Sequence, residues 1–486
     1  MLAENGSRGA LLPLSHPACR VAGPTAGRPV SAVPGRTEVE GAVSRPGELP
    51  RLLGRFDVLG VVVGGMVGVG IFFQPGAVAR LTGSASVSLA AWIVGGAIAL
   101  AGALTFAELG AMFQATGGQY LILREAYVRV VGFLYCWALM GVIISGAIGV
   151  IAILCVRYAC RAAGLSPGDG ASTAAACALI AVLALVNASG VRRGAALANV
   201  AMVVKVLAIL AIAAISVLGR FLPHGAAPSA PEAGPAHWGL LLPALIPVLF
   251  TFGGWQQATF LGGEVKDPGR VLPFGIIAGV LGVVALYLAL NVGYLSLVGV
   301  ARMATTKTLA ADAVGAVFPG AAERLVSLAV AVSALGITSV CLMAPPRMYK
   351  AIADDGCFFP WIGGVHPRCG TPARAILVQA AVTIALLLAA GEGGVAWLTT
   401  GVVCLDWVFF CLTGAALFVL RRTRPHAPRP YRAFGHPLLS GLFVLASGLV
   451  VVGAFLDPPT RSASVAAVVV LATGGVAWRF LRRTAR

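Results

Sequence analysis

From Phe56 to its last residues, the chain is a succession of long apolar runs separated by short polar or proline-rich connectors. Ala85–Leu104, Val130–Val156, Ala174–Val186, Ala195–Leu218 and Phe274–Val300 each reach or approach the roughly 20 residues that a helix needs to cross a hydrocarbon core. One or two such runs would fit the core of a soluble domain; this many do not. Placing a helix on every run gives about twelve spans, at 57–80, 86–113, 128–157, 173–189, 195–219, 238–262, 272–300, 322–346, 374–391, 394–420, 437–456 and 463–481. The expected fold class is an all-α polytopic membrane protein. Composition agrees, with 58% hydrophobic residues, 11% charged and a mean hydropathy of +0.91. A soluble domain of this size exposes more charge than that.

The net charge of +17 would suggest nucleic acid in a soluble protein. Counting connectors alternately from a cytoplasmic start gives a different explanation. About 26 of the 35 basic residues then fall on one side, as the positive-inside rule requires. They include Arg124, Arg129, Arg192, Arg193, Lys266, Arg270, Arg347, Lys350, Arg374 and the Arg421–Arg432 cluster. Both termini are expected in the cytoplasm, and no nucleic-acid partner is implied. Residues 1–50 are rich in Pro, Gly, Ala and Arg without apolar periodicity, and read as a disordered tail. The transport domain is expected over 51–432, and 433–486 hold two further spans and a basic end. The ten cysteines show no zinc or redox spacing. Cys160, placed in the connector after the third span, reads as packed or free rather than as a bridge to a partner.

Two spans are interrupted where an anchor helix would hold Leu or Ile. The first reads Gly60-Val-Val-Val-Gly-Gly-Met-Val-Gly-Val-Gly-Ile-Phe72. The sixth reads Phe250-Thr-Phe-Gly-Gly-Trp255 after Pro243 and Pro247. Glycine disfavours a helix interior by about 1 kcal/mol and proline by about 3 kcal/mol. Glycines at this density also permit close helix packing. Paired breaks five spans apart instead suit an inverted-repeat transporter, whose unwound backbone binds the substrate's charged ends at the membrane midplane.

These residues resemble the amino acid–polyamine–organocation superfamily, in particular its L-type and bacterial amino-acid permeases. Gly65-Met-Val-Gly-Val-Gly-Ile-Phe72 with Pro75 is similar to the family's G-x-x-G-S-G-I-F-x-x-P first helix. Phe250–Trp255 followed by Gly263-Glu-Val-Lys-Asp-Pro-Gly-Arg-Val-Leu-Pro273 resembles its sixth helix and the connector after it. Phe106-Ala-Glu-Leu-Gly110 with Gly117-Gly-Gln-Tyr120 also matches, as does Pro346–Gly356 with His366 and Thr371-Pro372. Val69 departs from the pattern, because the family usually has Ser there. The resemblance implies a LeuT-like five-plus-five inverted repeat, with repeat one at about 56–220 and repeat two at about 238–420. It implies a secondary active transporter of amino acids in the plasma membrane. The partners are the substrate and the bilayer, a partner subunit is left open, and no cofactor is called for.

A free amino acid carries two opposite charges, each costly to bury unpaired. Amides of Gly68, Val69, Gly70 and Ile71 at the start of a half-helix would suit its carboxylate. Carbonyls at Gly65, Met66, Phe250, Thr251 and Gly253 would suit its ammonium. Phe250 would be an aromatic lid, by the resemblance, or ordinary packing. No acidic side chain adjoins either break, which favours neutral amino acids over polyamines or other organic amines. Asp406 either faces the cavity or lies near the external interface. Lys205 interrupts the fifth span, where a charge is expensive and normally faces a cavity or a partner. It matches a lysine of the proton-coupled relatives and would stand in for a sodium ion. Transport would be sodium-independent, by proton symport if the lysine titrates and by exchange if it stays charged; the bland alternative is snorkelling. Glu264, with Lys266, Asp267 and Arg270, would close an inner gate or simply form a solvated connector. Glu108 and Glu125 read as interfacial, and Asp354 and Asp355 as cytoplasmic. The sequence holds no catalytic triad, metal-ligand set or Walker loop, so no enzyme is expected. A nutrient sensor on the same fold, without net flux, is the reading from another class.

Overall fold

The structure is a computed structural model describing residues 51, 53–115, 117–190, 205, 207–215, 237–306, 309–318, 321–366, 371–391, 394–456 and 458–484. Expectations for the tail 1–50, for Arg192 and Arg193 and for most of the fifth span lie outside these residues. Among the described residues the fold is helical, with one isolated parallel bridge between Leu53 and Val265. In chain order the elements are α1 (Arg55–Met66), α2 (Gln74–Thr82), α3 (Ala85–Met112), α4 (Gly118–Ala126), α5 (Arg129–Ala162) and α6 (Asp169–Ala188). There follow α7 (Leu241–Phe252), α8 (Pro268–Leu297), α9 (Val300–Thr305), α10 (Leu309–Val317), α11 (Ala321–Met343) and α12 (Pro345–Asp354). The last are α13 (Ala373–Ala390), α14 (Gly394–Thr423), α15 (Leu438–Leu456) and α16 (Pro458–Thr484).

Ten stretches among the described residues are long and apolar enough to cross a membrane. Two of the expected spans are not among them, each for a definite reason. The span expected at 57–80 is cut into α1 and α2 by a short 3₁₀ turn, Val69–Phe72. Of the fifth span only Lys205 and 207–215 are described, and these are helical. The third span is longer than expected, so Cys160 sits on the last turn of α5 rather than in a connector.

Small residues let the spans approach closely. A side-chain carbon on Gly275 or Gly279 of α8 would lie 2.4 or 2.5 Å from Val58 or Val62 of α1. The Gly-x-x-x-Gly spacing thus presents one flat face to a valine pair of the same spacing. Gly95 and Gly96 on α3 make the same kind of approach to Val248 and Val284. In the gap that remains, Trp92, Phe252 and Tyr287 form a cluster with ring centroids 5.3 to 6.0 Å apart. Edge-to-face aromatic contacts of this kind fix mutual orientation as well as burying area.

Glu108, one turn from the end of α3, is fully buried by protein rather than open to water. Arg421 grips its carboxylate through two hydrogen bonds of 3.0 and 2.5 Å, and the Ala433 amide adds a third of 2.6 Å. Arg429 Nε lies 3.3 Å away as an ion pair without hydrogen-bond geometry. The basic connector after α14 is therefore folded back onto α3. A buried carboxylate deprived of charge would strand two arginines, a change that typically destabilises by about 3–5 kcal/mol. Glu108→Gln is expected to lower the melting temperature of detergent-solubilised protein markedly; an unchanged melt would show the cluster to be solvated. On the surface beside it, Arg424 and Arg124 hold the Glu125 carboxyl below the usual carboxylate range, the Arg424 hydrogen bond contributing most. Because that shift is downward, its stabilisation is present at neutral pH and fades as pH falls.

Candidate functional site

The C-terminus of α1 leaves carbonyls without intrahelical partners, as every helix end does. The structure satisfies them from three directions. Val67 N–H donates to Val63 (2.8 Å), and Gly68 N–H donates to Met66 (2.8 Å). The Tyr287 hydroxyl, from α8, also donates to the Met66 carbonyl at 2.9 Å. Lys205 Nζ donates to the Gly64 carbonyl at 2.7 Å, with the lysine 3% exposed. A cation on the negative end of a helix dipole is favourably placed, and the carbonyl offsets part of the desolvation of the ammonium.

Gly68 is extended (φ −105°, ψ −171°) and starts the 3₁₀ turn Val69–Phe72. The first amides of such a turn, at Val69 and Gly70, have no acceptor within it. In the sixth span Pro247 lies inside α7 and removes one helical donor. α7 ends at Phe252; Gly253 is extended, and Gly254 has φ +119°, which only glycine adopts readily. A 3₁₀ stretch, Trp255–Glu264, follows. Trp255 is locked there by stacking on Phe410 of α14 (5.1 Å) and by an edge contact with Phe106 of α3.

The two breaks meet back to back. A side-chain carbon on Gly254 would stand 2.4 Å from the Gly65 carbonyl oxygen, and one on Gly65 would stand 3.0 Å from the Gly254 oxygen. A carbon on Gly70 would lie 3.2 Å from the Thr251 side chain, whose hydroxyl donates to Pro247. Ile337 of α11 borders Gly68. Gly65, Met66, Gly68, Gly70, Thr251 and Gly253 are thus gathered at or beside one junction of broken helices. Ile71 is buried, and Phe250 is half-buried with its carbonyl accepting from Gly253. Glu264 is not at the junction. It ends the 3₁₀ stretch, and its carbonyl takes the Leu53 amide while Lys266 donates to Leu53. Arg347, on α12, lies within electrostatic reach of Glu264, and exposed Asp267 and Arg270 approach to 3.9 Å.

Tyr287 and Gly64 escaped the sequence reading. A phenol in the apolar run Ala285-Leu-Tyr-Leu-Ala289 must find a partner for its hydroxyl once buried, which is a usable signal. It cannot say which carbonyl is the partner. Among the described residues, no cluster of His, Cys, Asp and Glu could hold a metal ion. The junction offers backbone donors and acceptors side by side, beside one lysine.

The chain matches the amino acid permease family over residues 53–477. It is similar to the serine/threonine exchanger SteT of Bacillus subtilis, with 28% identity over 87% of this chain and 95% of that protein. It shares 28% identity with the human b(0,+)-type amino acid transporter 1, over 85% of this chain and 84% of that protein. The large neutral amino acids transporter small subunit 2 of Rattus norvegicus is also 28% identical, over 79% of this chain and 72% of that protein.

Proposed function

Because the chain belongs to the amino acid permease family, within the amino acid–polyamine–organocation superfamily, we propose that it is a secondary active transporter of neutral amino acids, independent of sodium. It is a multi-pass membrane protein of amino-acid transport and not an enzyme. The finer reading rests above all on the two helix breaks meeting at Gly65 and Gly254, with Lys205 on the Gly64 carbonyl. In this reading the substrate carboxylate takes amides among Gly68, Val69, Gly70 and Ile71. Its ammonium takes carbonyls of Gly65, Phe250, Thr251 and Gly253. Met66 contributes less, since its carbonyl already receives two donors. Phe250 covers the site, and Glu264 closes the inner end with Arg347 as its counter-ion.

Twelve spans arranged as two inverted repeats of five, plus two, place both termini in the cytoplasm of a cell whose plasma membrane holds the protein. Lys205 takes the place of a sodium ion and ties the site to α1, so that transport runs as exchange or with protons. Two relatives are named for neutral substrates, serine and threonine or large neutral amino acids, and the bacterial one is named an exchanger. One relative is named as a small subunit, so an accessory subunit here is compatible with the fold.

The test is uptake of labelled amino acids by purified protein in liposomes, with choline replacing sodium. Uptake that survives replacement supports the reading; strict sodium dependence overturns it, and the absence of both uptake and exchange favours a sensor. The site itself is tested by Gly70→Leu. The first added carbon already touches Thr251 at 3.2 Å, and the remaining three atoms must enter the junction. Thermal stabilisation by amino acids should vanish while the variant still elutes as folded protein. Normal ligand stabilisation in this variant would move the site elsewhere.

A further inference from the structure

Asp406 lies on α14, 12 residues after Gly394, or about 18 Å along a helix of about 45 Å, which puts it near mid-membrane. Its neighbours Leu405 and Trp407 are buried. One carboxyl oxygen, Oδ1, is buried and has no hydrogen-bond partner among the described residues, while the residue as a whole keeps some accessible surface. Residues three and four away on the same helix, Val402, Val403, Phe409 and Phe410, are buried, so Asp406 lies on the face of α14 turned into the protein. Asp406 and Phe410 are four residues apart and share a face, and Phe410 stacks on Trp255 directly after the sixth-span break. Asp406 thus lies one helical turn from a ring that packs on the first residue after the sixth-span break. Opposite it, α5 carries a π turn at Leu139–Ile143, a distortion common at functional sites.

Among the described residues, no hydrogen bond joins Asp406 Oδ1 to an ionisable group of the helices packed against α14. On α5, Tyr135 is within electrostatic reach, but its hydroxyl donates to Gln119 Oε1 at 2.8 Å. On α3, Glu108 is tied to Arg421 and Arg429. On α4, Tyr120 and Arg124 bind Asp355, and Glu125 binds Arg424. Arg374 at the start of α13 donates to the Trp361 carbonyl, and Arg461 of α16 donates to the carbonyls of Phe455 and Leu456. The helices α7 and α15 carry no ionisable side chain. An uncompensated carboxylate at mid-membrane is costly, and the simplest compensation is a proton. Lys205 differs in kind: its ammonium already has a fixed acceptor at a helix C-terminus, which the neutral amine would satisfy less well.

We propose that Asp406 is the proton-carrying residue of this transporter, and that Lys205 is a standing ammonium rather than the group that titrates. This rests on the transporter reading above. The carboxylate takes one proton from water on the side where the cavity is open, forming an O–H bond. It returns that proton to water on the other side after the helices rearrange. No other bond changes, and the proton gradient supplies the driving force.

The experiment uses full-length protein in liposomes. Wild type should show amino-acid uptake stimulated by an inward proton gradient. Asp406→Asn should lose that stimulation, at least tenfold, while retaining exchange of labelled for unlabelled substrate at equal pH; Asp406→Glu should retain both. A wild type that exchanges substrate but ignores the gradient, or an Asn variant still driven by it, overturns the proposal. Loss of exchange only for amino acids with cationic side chains would make Asp406 a specificity residue instead, and would also overturn it. No uptake or exchange of any amino acid by wild type would defeat the transporter reading, a different result. A measurement on wild type guards against a variant that fails to fold. Dicyclohexylcarbodiimide, which attacks protonated carboxyls in apolar surroundings, should label Asp406 at acidic pH and progressively less as pH rises, read by peptide mass spectrometry. Absence of that label at every pH, with other carboxyls modified, overturns the proposal.

Discussion

Lys205→Ala is expected to reduce amino-acid uptake about 10- to 100-fold, corresponding to the roughly 1.5–3 kcal/mol that a hydrogen bond to a charged group contributes. The mutation removes the one side chain that donates to the Gly64 carbonyl among the described residues, and with it the cation at the C-terminal end of α1. The carbonyl is left without a side-chain donor among the described residues, and the end of α1 loses its tether to the fifth span. The loss should appear in sodium-free buffer and in sodium alike, since the ammonium replaces the ion. It should also appear in exchange assays without a proton gradient, because the group acts on the shape of the break. Full uptake by Lys205→Ala at normal expression would remove this lysine from the mechanism. Loss confined to gradient-driven uptake would instead make Lys205 the proton carrier.

Gly254→Ala is expected to abolish transport and to destabilise the protein by about 3 kcal/mol or more, whereas Gly253→Ala one residue earlier should be mild. The methyl group on residue 254 would stand 2.4 Å from the Gly65 oxygen and 2.9 Å from the Met66 nitrogen, both backbone atoms that cannot swing away. The backbone there also has φ +119°, a conformation that alanine adopts only with strain. At residue 253 the nearest atom is 3.4 Å away and φ is −64°, ordinary for any residue. Melting in detergent, together with uptake by reconstituted protein, separates the two. Equal effects at both positions would mean that the two breaks do not touch as described.

The pattern of apolar runs was enough to establish an all-α membrane protein, because hydrocarbon leaves backbone groups no partners but one another. The two breaks were legible for a related reason: glycine and proline weaken a helix locally, at a position the sequence fixes. Lys205 stood out because a charge in an apolar run must have a partner. What the sequence could not supply was the partner's identity. Nothing in the run around Lys205 points to Gly64, 141 residues away, and nothing around Tyr287 points to Met66. The burial of Glu108 was hidden for the same reason. Its arginines come from the last turn of α14 and from the connector after it, more than 300 residues later in the chain.

The same division applies at the junction itself. Gly253 and Gly254 are indistinguishable as sequence, yet one tolerates a side chain and the other faces a carbonyl at contact distance. The sequence by itself determined that helices would form, roughly where they run and where two of them break, because hydrophobic period, chain length and backbone propensity act over neighbouring residues. The tertiary structure alone decided which weak points meet, which carbonyl receives the lysine and which carboxyl oxygen is buried without a donor among the described residues. Those depend on approaches of a few ångströms between residues distant in the chain, set by how the helices pack around small residues.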